Sequence, residues 1–273
     1  MKILLTNLKL DTLGGTETWT ATVAKELTRL GHEVHLFSAG GYSLLPDYKR
    51  LDNNYDLALI NHNVCLPAID GIDIKRRIFT SHGIIPYVEQ PIEGADVYIS
   101  VSEEVQANLE KKGFKSDVIR NPIDTETFVE TERNNELKKV LFMSNYQGEA
   151  RKVIEDATKG LELRVFGADN RVNALDAMKW ADLVIGLGRT ALEAMSLGRN
   201  VIVYDYNGAD GFVDEDTILE FRKNNCSGRR YGIKLKAESL RELYKKYNAH
   251  SMRNYILKNN DVKQIVQKYL SYY

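Results

Sequence analysis

Arg189, Thr190 and Glu193 carry the sharpest chemical signal in the chain. They stand in Ala181 to Tyr206, a stretch that reads as strand, glycine-rich turn, short helix and strand in immediate succession. Asp182 to Ile185 is an apolar run too short for a helix, and Gly186-Leu187-Gly188 breaks it where a buried parallel strand ends. Thr190 is read as the N-cap of a helix running through Ala191, Leu192, Ala194, Met195 and Leu197 and closed by Gly198. Unpaired amides at such a helix start, with the helix dipole, favour an anion. Gly188, Thr190 and the cation of Arg189 would hold phosphate, and Glu193, one turn in, would accept bonds from a pair of sugar hydroxyls. An ordinary βαβ unit, in which Glu193 only complements the dipole, meets the same spacing.

A second glycine turn, Asp11-Thr12-Leu13-Gly14-Gly15-Thr16-Glu17, lies between strand Lys2 to Leu8 and a helix with apolar positions Val23, Leu27 and Leu30. Gly14 and Gly15 would let a ligand approach the backbone, although the spacing is not the dinucleotide G-x-G-x-x-G. His82 follows strand Arg77 to Ser81 and precedes Gly83 and Pro86, which puts it on a loop at the carboxyl edge of a sheet. It would face a ligand there or cap the strand end. His62, after strand Tyr55 to Asn61, reads as a solvated loop histidine. Asp205, Asp210 and Asp214 lack the histidine or fixed spacing of a metal site, and no metal is expected. Glu155 and Asp156 read as a solvated helix face.

The elements that position these residues alternate strand and helix. Strands are expected at His32 to Ala39, Asp96 to Ser102 and Ser116 to Arg120, and a helix at Glu103 to Lys112. After the polar stretch Thr125 to Lys138, read as an interdomain linker, the pattern restarts. Strand Lys139 to Ser144, helix Arg151 to Thr158, strand Leu161 to Phe166 and helix Val172 to Trp180 then lead into the opening stretch. This is an α/β chain of two Rossmann-like, doubly wound parallel-sheet domains, expected to face one another across a cleft. The expected domains are 1–127, 128–255 and a closing helix, 256–273, that packs back on the first.

With 273 residues, a net charge of -1 and two cysteines far apart, Cys65 and Cys226, the chain suits a reducing compartment and not a general nucleic-acid binder. No secretory h-region opens it, and no apolar run reaches the roughly 20 residues of a membrane span, so a cytoplasmic protein is expected. The tail carries Arg241, Lys245, Lys246, Arg253, Lys258, Lys263 and Lys268 beside two apolar stripes, one through Leu240, Leu243 and Tyr244 and one through Ile256, Val262, Ile265 and Tyr269. Such a tail packs on the protein, rests a basic face on the inner membrane surface, or does both.

Four segments resemble the retaining glycosyltransferases of family 4, of GT-B fold. Gly14-Gly15-Thr16-Glu17 is similar to the family's first loop. Ser102 through Asn121-Pro122-Ile123-Asp124 and Phe128 resembles the stretch closing its first domain. Lys139 to Ser144 with Arg151-Lys152 resembles the strand and basic pair that grip the donor diphosphate. Leu192-Glu193-Ala194-Met195 with Gly198 and Val201 matches the signature helix whose glutamate binds the ribose. The resemblance also makes His82 the histidine that approaches the donor sugar. The family's earlier signature glutamate falls on Ile185 here, so the carboxylate that would hold the sugar is absent. What the resemblance implies is a metal-independent hexosyltransferase without a cofactor. It would move a sugar from a nucleoside-diphosphate sugar to a sugar or lipid-linked acceptor, as in polysaccharide or glycolipid assembly, with His82 and Glu193 in the reaction. A nucleotide-sugar epimerase of related fold and a non-catalytic nucleotide- or sugar-binding protein are the alternatives.

Overall fold

The computed structural model describes residues 1–11, 14–41, 51–167, 174–248 and 250–273. Thr12 and Leu13 of the first glycine turn, and Val172 at the start of the expected helix, lie outside the described residues. The chain divides into two units, residues 1–122 with 260–273 and residues 123–259.

The first unit runs β1 (Lys2–Asn7), α1 (Gly15–Arg29), β2 (Glu33–Ser38), β3 (Asn54–Ile60), α2 (Cys65–Ala68), β4 (Asp73–Ser81), β5 (Val97–Ser100), α3 (Glu103–Glu110) and β6 (Asp117–Val118). Its sheet has the order β2-β1-β3-β4-β5-β6 and every pairing is parallel. The strands are apolar on both faces because both are covered. Ile3 and Leu5 join the core with Trp19, Val23 and Leu27 of α1, while Leu4 faces Cys65 and Leu66 of α2. The chain leaves β1 for β2 on one side and then returns to place β3 on the other. The carboxyl ends of β1 and β3 therefore flank the point where the winding reverses, the place where open α/β sheets leave a crevice.

The second unit runs β7 (Lys139–Met143), α4 (Gly148–Ala157), β8 (Glu162–Phe166), α5 (Ala174–Trp180), β9 (Leu183–Gly186), α6 (Gly188–Ser196), β10 (Asn200–Asp205), β11 (Gly208–Phe212), α7 (Ile218–Phe221), α8 (Ala237–Tyr244) and α9 (Arg253–Asn259). Its sheet has the order β11-β10-β9-β7-β8, parallel except for the β10–β11 pair. The winding reverses between β7 and β9. Leu141, Val184 and Val201 pack with α6 and α9, and Val140, Phe142 and Ile185 with α4 and α8.

Two expectations change here. Residues 125–138 form no helix or strand, as expected, yet they are strapped to the second unit. The guanidinium of Arg199, 1% exposed, donates to the carbonyls of Thr131 and Glu132, and Asp182 accepts from the backbone amides of Asn134, Lys138 and Lys139. The expected closing helix 256–273 is two helices assigned to different units, α9 and α10 (Val262–Leu270). Asn260 stops the first by donating from its buried amide to the Asn121 carbonyl at 2.9 Å, and Asp261 caps the second by accepting from Lys263 N at 2.8 Å. The apolar stripes of the tail are buried: Leu240 and Tyr244 sit in the core beneath α8, and Val262, Ile265, Val266 and Tyr269 of α10 pack in the core with α1. Among the described residues, no helix is long and apolar enough to cross a membrane.

Candidate functional site

The residues singled out by chemistry gather at the two winding reversals. In the second unit, β9 ends at Gly186, where an added Cβ would lie 2.9 Å from the Met143 carbonyl at the end of β7. Only glycine lets the two strand ends approach that closely. Leu187 is extended and serves as the N-cap of α6, which begins at Gly188 with φ +51. Thr190 is therefore inside the helix rather than its cap. The helix begins three residues earlier because glycine accepts the left-handed first position and because Gly188 N donates to the Cys226 carbonyl at 2.8 Å. One of the amides expected to meet an anion is thus committed to the protein. The first turn now contains both Arg189 and Thr190.

Arg189 and Glu193 are four residues apart on α6, and Nε of Arg189 donates to Oε1 of Glu193 at 2.7 Å. Both side chains are nearly covered, at 11% and 8% exposed. Burial pushes the Glu193 carboxyl above its usual range, and the Arg189 charge and hydrogen bond pull against it. Glu193 thus already holds a cation at the start of α6, and a carboxylate has further lone pairs with which to accept. Ile185, where the family's first glutamate falls, is 0% exposed and paired with Ile202 in the sheet. A carboxylate there would be buried in the core.

The expected basic grip is arranged differently. α4 begins at Gly148, three residues before Arg151, so Arg151 and Lys152 lie on an exposed helix face. Arg151 bonds to Glu155 at 2.8 Å and to Gln147 at 3.1 Å, which makes Glu155 an ion-pair partner. Sequence reasoning missed Ser144, Tyr146 and Tyr206. The Tyr146 and Tyr206 rings, after β7 and β10, are 68% and 53% exposed and stand edge to face with centroids 5.2 Å apart. Two tyrosines each placed just past a strand end were the available signal. Asp205 accepts from Asn207 N at 2.8 Å and lies 3.0 Å from the Ser144 hydroxyl, and burial pushes its carboxyl up to about 6. Asp210 holds the amides of Gly228 and Tyr231, and Asp214 accepts from Thr217 N in the turn before α7. Each of the three aspartates thus has its own local role.

In the first unit, Gly14 is the N-cap of α1. An added Cβ there would meet the carboxylate end of Glu17, a movable side chain that folds back over the helix start, so the position does not require glycine. Among the described residues, nothing lies within 4 Å of a Cβ added at Gly15. His82 is half-buried just past β4, its Nε2 2.9 Å from Oδ1 of Asn61 and its ring edge-on to Trp19 at 5.6 Å. His62 is not solvated. It is 6% exposed, its Nδ1 accepts from Leu8 N at 2.9 Å, and burial lowers its titration to about 4. It joins the ends of β1 and β3 as a neutral ring. Among the described residues, Glu33, His35 and Asp52 could together hold a metal. Both His35 nitrogens already have partners, Glu33 and the Tyr55 hydroxyl, and Lys2 pairs with Asp52.

No family model matches the chain, and no curated protein does. Solved structures do match in fold. An alpha-glucosyltransferase in complex with UDP and a 13-mer DNA containing a HMU base is 10% identical, with a TM-score of 0.59 over 98% of each chain. AviGT4, a glycosyltransferase involved in avilamycin A biosynthesis, is 15% identical, with a TM-score of 0.55 over 99% of this chain and 96% of that one. A protein from Listeria monocytogenes described as a UDP-N-acetylglucosamine 2-epimerase is 12% identical, with a TM-score of 0.54 over 98% of this chain and 94% of that one. The fold is of GT-B type. At these identities the likeness speaks for architecture, and the chemistry rests on the residues.

Proposed function

We propose that this chain is a nucleotide-sugar-dependent glycosyltransferase that moves a hexose-type residue from a nucleoside-diphosphate sugar to an acceptor hydroxyl, with retention and without a metal. The observation that carries the reading is the covered Arg189–Glu193 pair at the N-terminus of α6, at the winding reversal of the second unit. The diphosphate takes first-turn amides and the Arg189 guanidinium, and the ribose hydroxyls take lone pairs of Glu193. Negative charge builds on the leaving diphosphate as the sugar departs. A guanidinium and helix amides held in place before the reaction stabilise that charge with little reorganisation. Arg151 joins by exchanging Glu155 and Gln147 for phosphate oxygens, and Lys152 adds its charge beside it. In the first unit, taken by itself, Gly15 and His82 are the residues for contact with sugar hydroxyls.

The acceptor is a sugar or a lipid-linked sugar. With the tail's apolar stripes in the cores, contact with a lipid surface would fall to exposed cations such as Lys245, Lys263 and Lys268. One fold relative is described as an epimerase, which makes acceptor-independent conversion of a nucleotide sugar the competing reading.

The test begins with thermal shifts against UDP, GDP, ADP and their sugars, since a ligand at about 100 times its dissociation constant stabilises by about 2.7 kcal/mol. With the responding donor, nucleoside diphosphate should be released only when acceptor is present. His82→Ala should cut turnover about 100-fold while sparing nucleoside diphosphate affinity, and NMR of the product should show a retained anomer. Conversion of the donor without acceptor supports the epimerase. Binding with no turnover of any donor supports a binding protein.

A further inference from the structure

The carboxyl ends of β1, β3 and β4 share a run of hydrogen bonds whose direction can be followed from end to end. Thr20, fully buried on α1, has its hydroxyl 2.9 Å from the Thr16 carbonyl one turn back, and a hydroxyl has one proton to give. With that proton on Thr16, Oγ1 of Thr20 faces its other neighbours as an acceptor. They are the side-chain amides of Asn61 at 2.9 Å and Asn7 at 3.3 Å. Asn61 therefore turns its NH₂ to Thr20 and its carbonyl Oδ1 to His82, 2.9 Å from Nε2. A carbonyl oxygen only accepts, so Nε2 carries the hydrogen. Running the chain backwards, from Thr20 into Asn61 and from Asn61 into His82, gives up the Thr20–Thr16 bond. The loss of that one bond corresponds to a preference of about fivefold for the forward direction. Asn61 and Thr20 are both 0% exposed, so the Asn61–Thr20 link is shielded from water. Trp19, 1% exposed, limits the other degree of freedom by standing edge-on to the His82 ring.

We propose that Asn61 is the positioning residue of His82. It holds the imidazole as the Nε2–H tautomer, so that a hydrogen bond between His82 and a sugar hydroxyl is accepted at Nδ1 and not donated from it. The ligand class follows from the sense of that bond. The ring's partner must bring a proton, as a sugar or acceptor hydroxyl does and a phosphate oxygen of the fully ionised donor does not. Thr20 sets the sense of the whole run through its single proton. The importance of the tautomer for turnover rests on the transferase reading, whereas the tautomer itself does not.

The experiment is long-range ¹H–¹⁵N NMR of the histidine rings in the full ¹⁵N-labelled chain at a pH of about 8, above the ordinary imidazole titration. The His82 signals are identified by their loss in His82→Gln. The expected spectrum has a protonated Nε2 and an acceptor-type Nδ1. Thr20→Val removes the acceptor that orients Asn61 and should shift His82 to a mixture of tautomers, whereas Thr20→Ser keeps the hydroxyl and should restore the pure form. Asn61→Ala should match Thr20→Val, and if it fails to fold, the near-isosteric Thr20→Val carries the comparison. In turnover, Thr20→Val and Asn61→Ala should lower kcat about tenfold with little change in donor KM, and Thr20→Ser should restore it. A wild-type His82 protonated at Nδ1 overturns the proposal. So does an unchanged tautomer in folded Thr20→Val and Asn61→Ala, or an unchanged kcat once the tautomer is lost. A wild type that turns over no donor defeats the transferase reading instead, and the spectra then decide the role of Asn61 alone.

Discussion

The two winding reversals share one topology and differ in chemistry. At the first, Asn7, Asn61 and Thr20 are uncharged, fully buried groups bonded to one another, and His62 is held neutral. At the second, the covered groups are ionisable: an arginine on a glutamate, and an aspartate whose titration is pushed up. A neutral network of fixed direction suits the recognition of hydroxyls, because it can offer a donor or an acceptor at a set place without solvating an ion. A charged one suits an anion whose charge grows during reaction. The difference teaches that the βα frame supplies only the crevice, and that the side chains at two strand ends decide what enters it.

The comparison is broken most forcefully at Arg189. Arg189→Met leaves the covered Glu193 carboxylate without its cation and should cost about 3–5 kcal/mol in urea denaturation, while Arg189→Met combined with Glu193→Leu should recover much of it. Removing the corresponding arginine of the exposed Arg151–Glu155 pair should cost under about 1 kcal/mol. Equal losses would mean that the covered pair is no more than a surface pair.

The two units should also answer acid in opposite senses. His62 titrates near 4 in the folded protein and near 6.5 unfolded, so its contribution is complete above about 6.5 and is lost as pH falls towards 4. That loss amounts to about 3 kcal/mol, and His62→Gln should flatten the stability profile in this window. Asp205 is raised to about 6, so its contribution is greatest below about 4 and is lost as pH rises through 6. Asp205→Asn should therefore stabilise by up to about 3 kcal/mol near pH 8 and change little near pH 4. Stability against urea across pH, for the two single variants, reads both signs.

Glu193→Gln should keep the fold and weaken nucleoside diphosphate binding by about 1.5–3 kcal/mol, because an amide replaces a charged acceptor. Calorimetric titration measures it, and unchanged affinity removes Glu193 from the ribose. The smallest change in stability, within about 0.5 kcal/mol, belongs to Arg151→Ala with Lys152→Ala, on an exposed helix face. That variant should nevertheless lose affinity for nucleoside diphosphate and keep it for nucleoside, since only the former brings charge. Equal loss for both ligands would place the pair outside the phosphate site.

Much of the frame was legible because its signals are local. Ile3-Leu4-Leu5 and Leu183-Val184-Ile185 announce strands covered on both faces, and the glycines after β9 mark the turn into α6 within a few residues. The Arg189–Glu193 spacing could also have been read as an ion pair, since residues four apart on a helix are neighbours. β11 was not legible: Gly208 to Phe212 has the composition of a turn, and it is a strand only because β10 offers it an edge. The strap over residues 125–138 likewise became visible only through Arg199 and Asp182, whose side chains lie tens of residues away in sequence.

By itself the sequence determined where the chain winds, where glycine must stand and which helices have an apolar face, because periodicity, turn chemistry and capping act over a few residues. Tertiary structure completed the local signal of Gly188 in starting α6 there, since the Cys226 carbonyl that accepts its first amide comes from a later loop. It alone made His62 a covered acceptor for Leu8 and brought Thr20, Asn61 and His82 into one run of bonds from three separate segments. Burial and hydrogen-bond partners depend on what packs from elsewhere, and they set which groups are charged, which are neutral and which way a proton points.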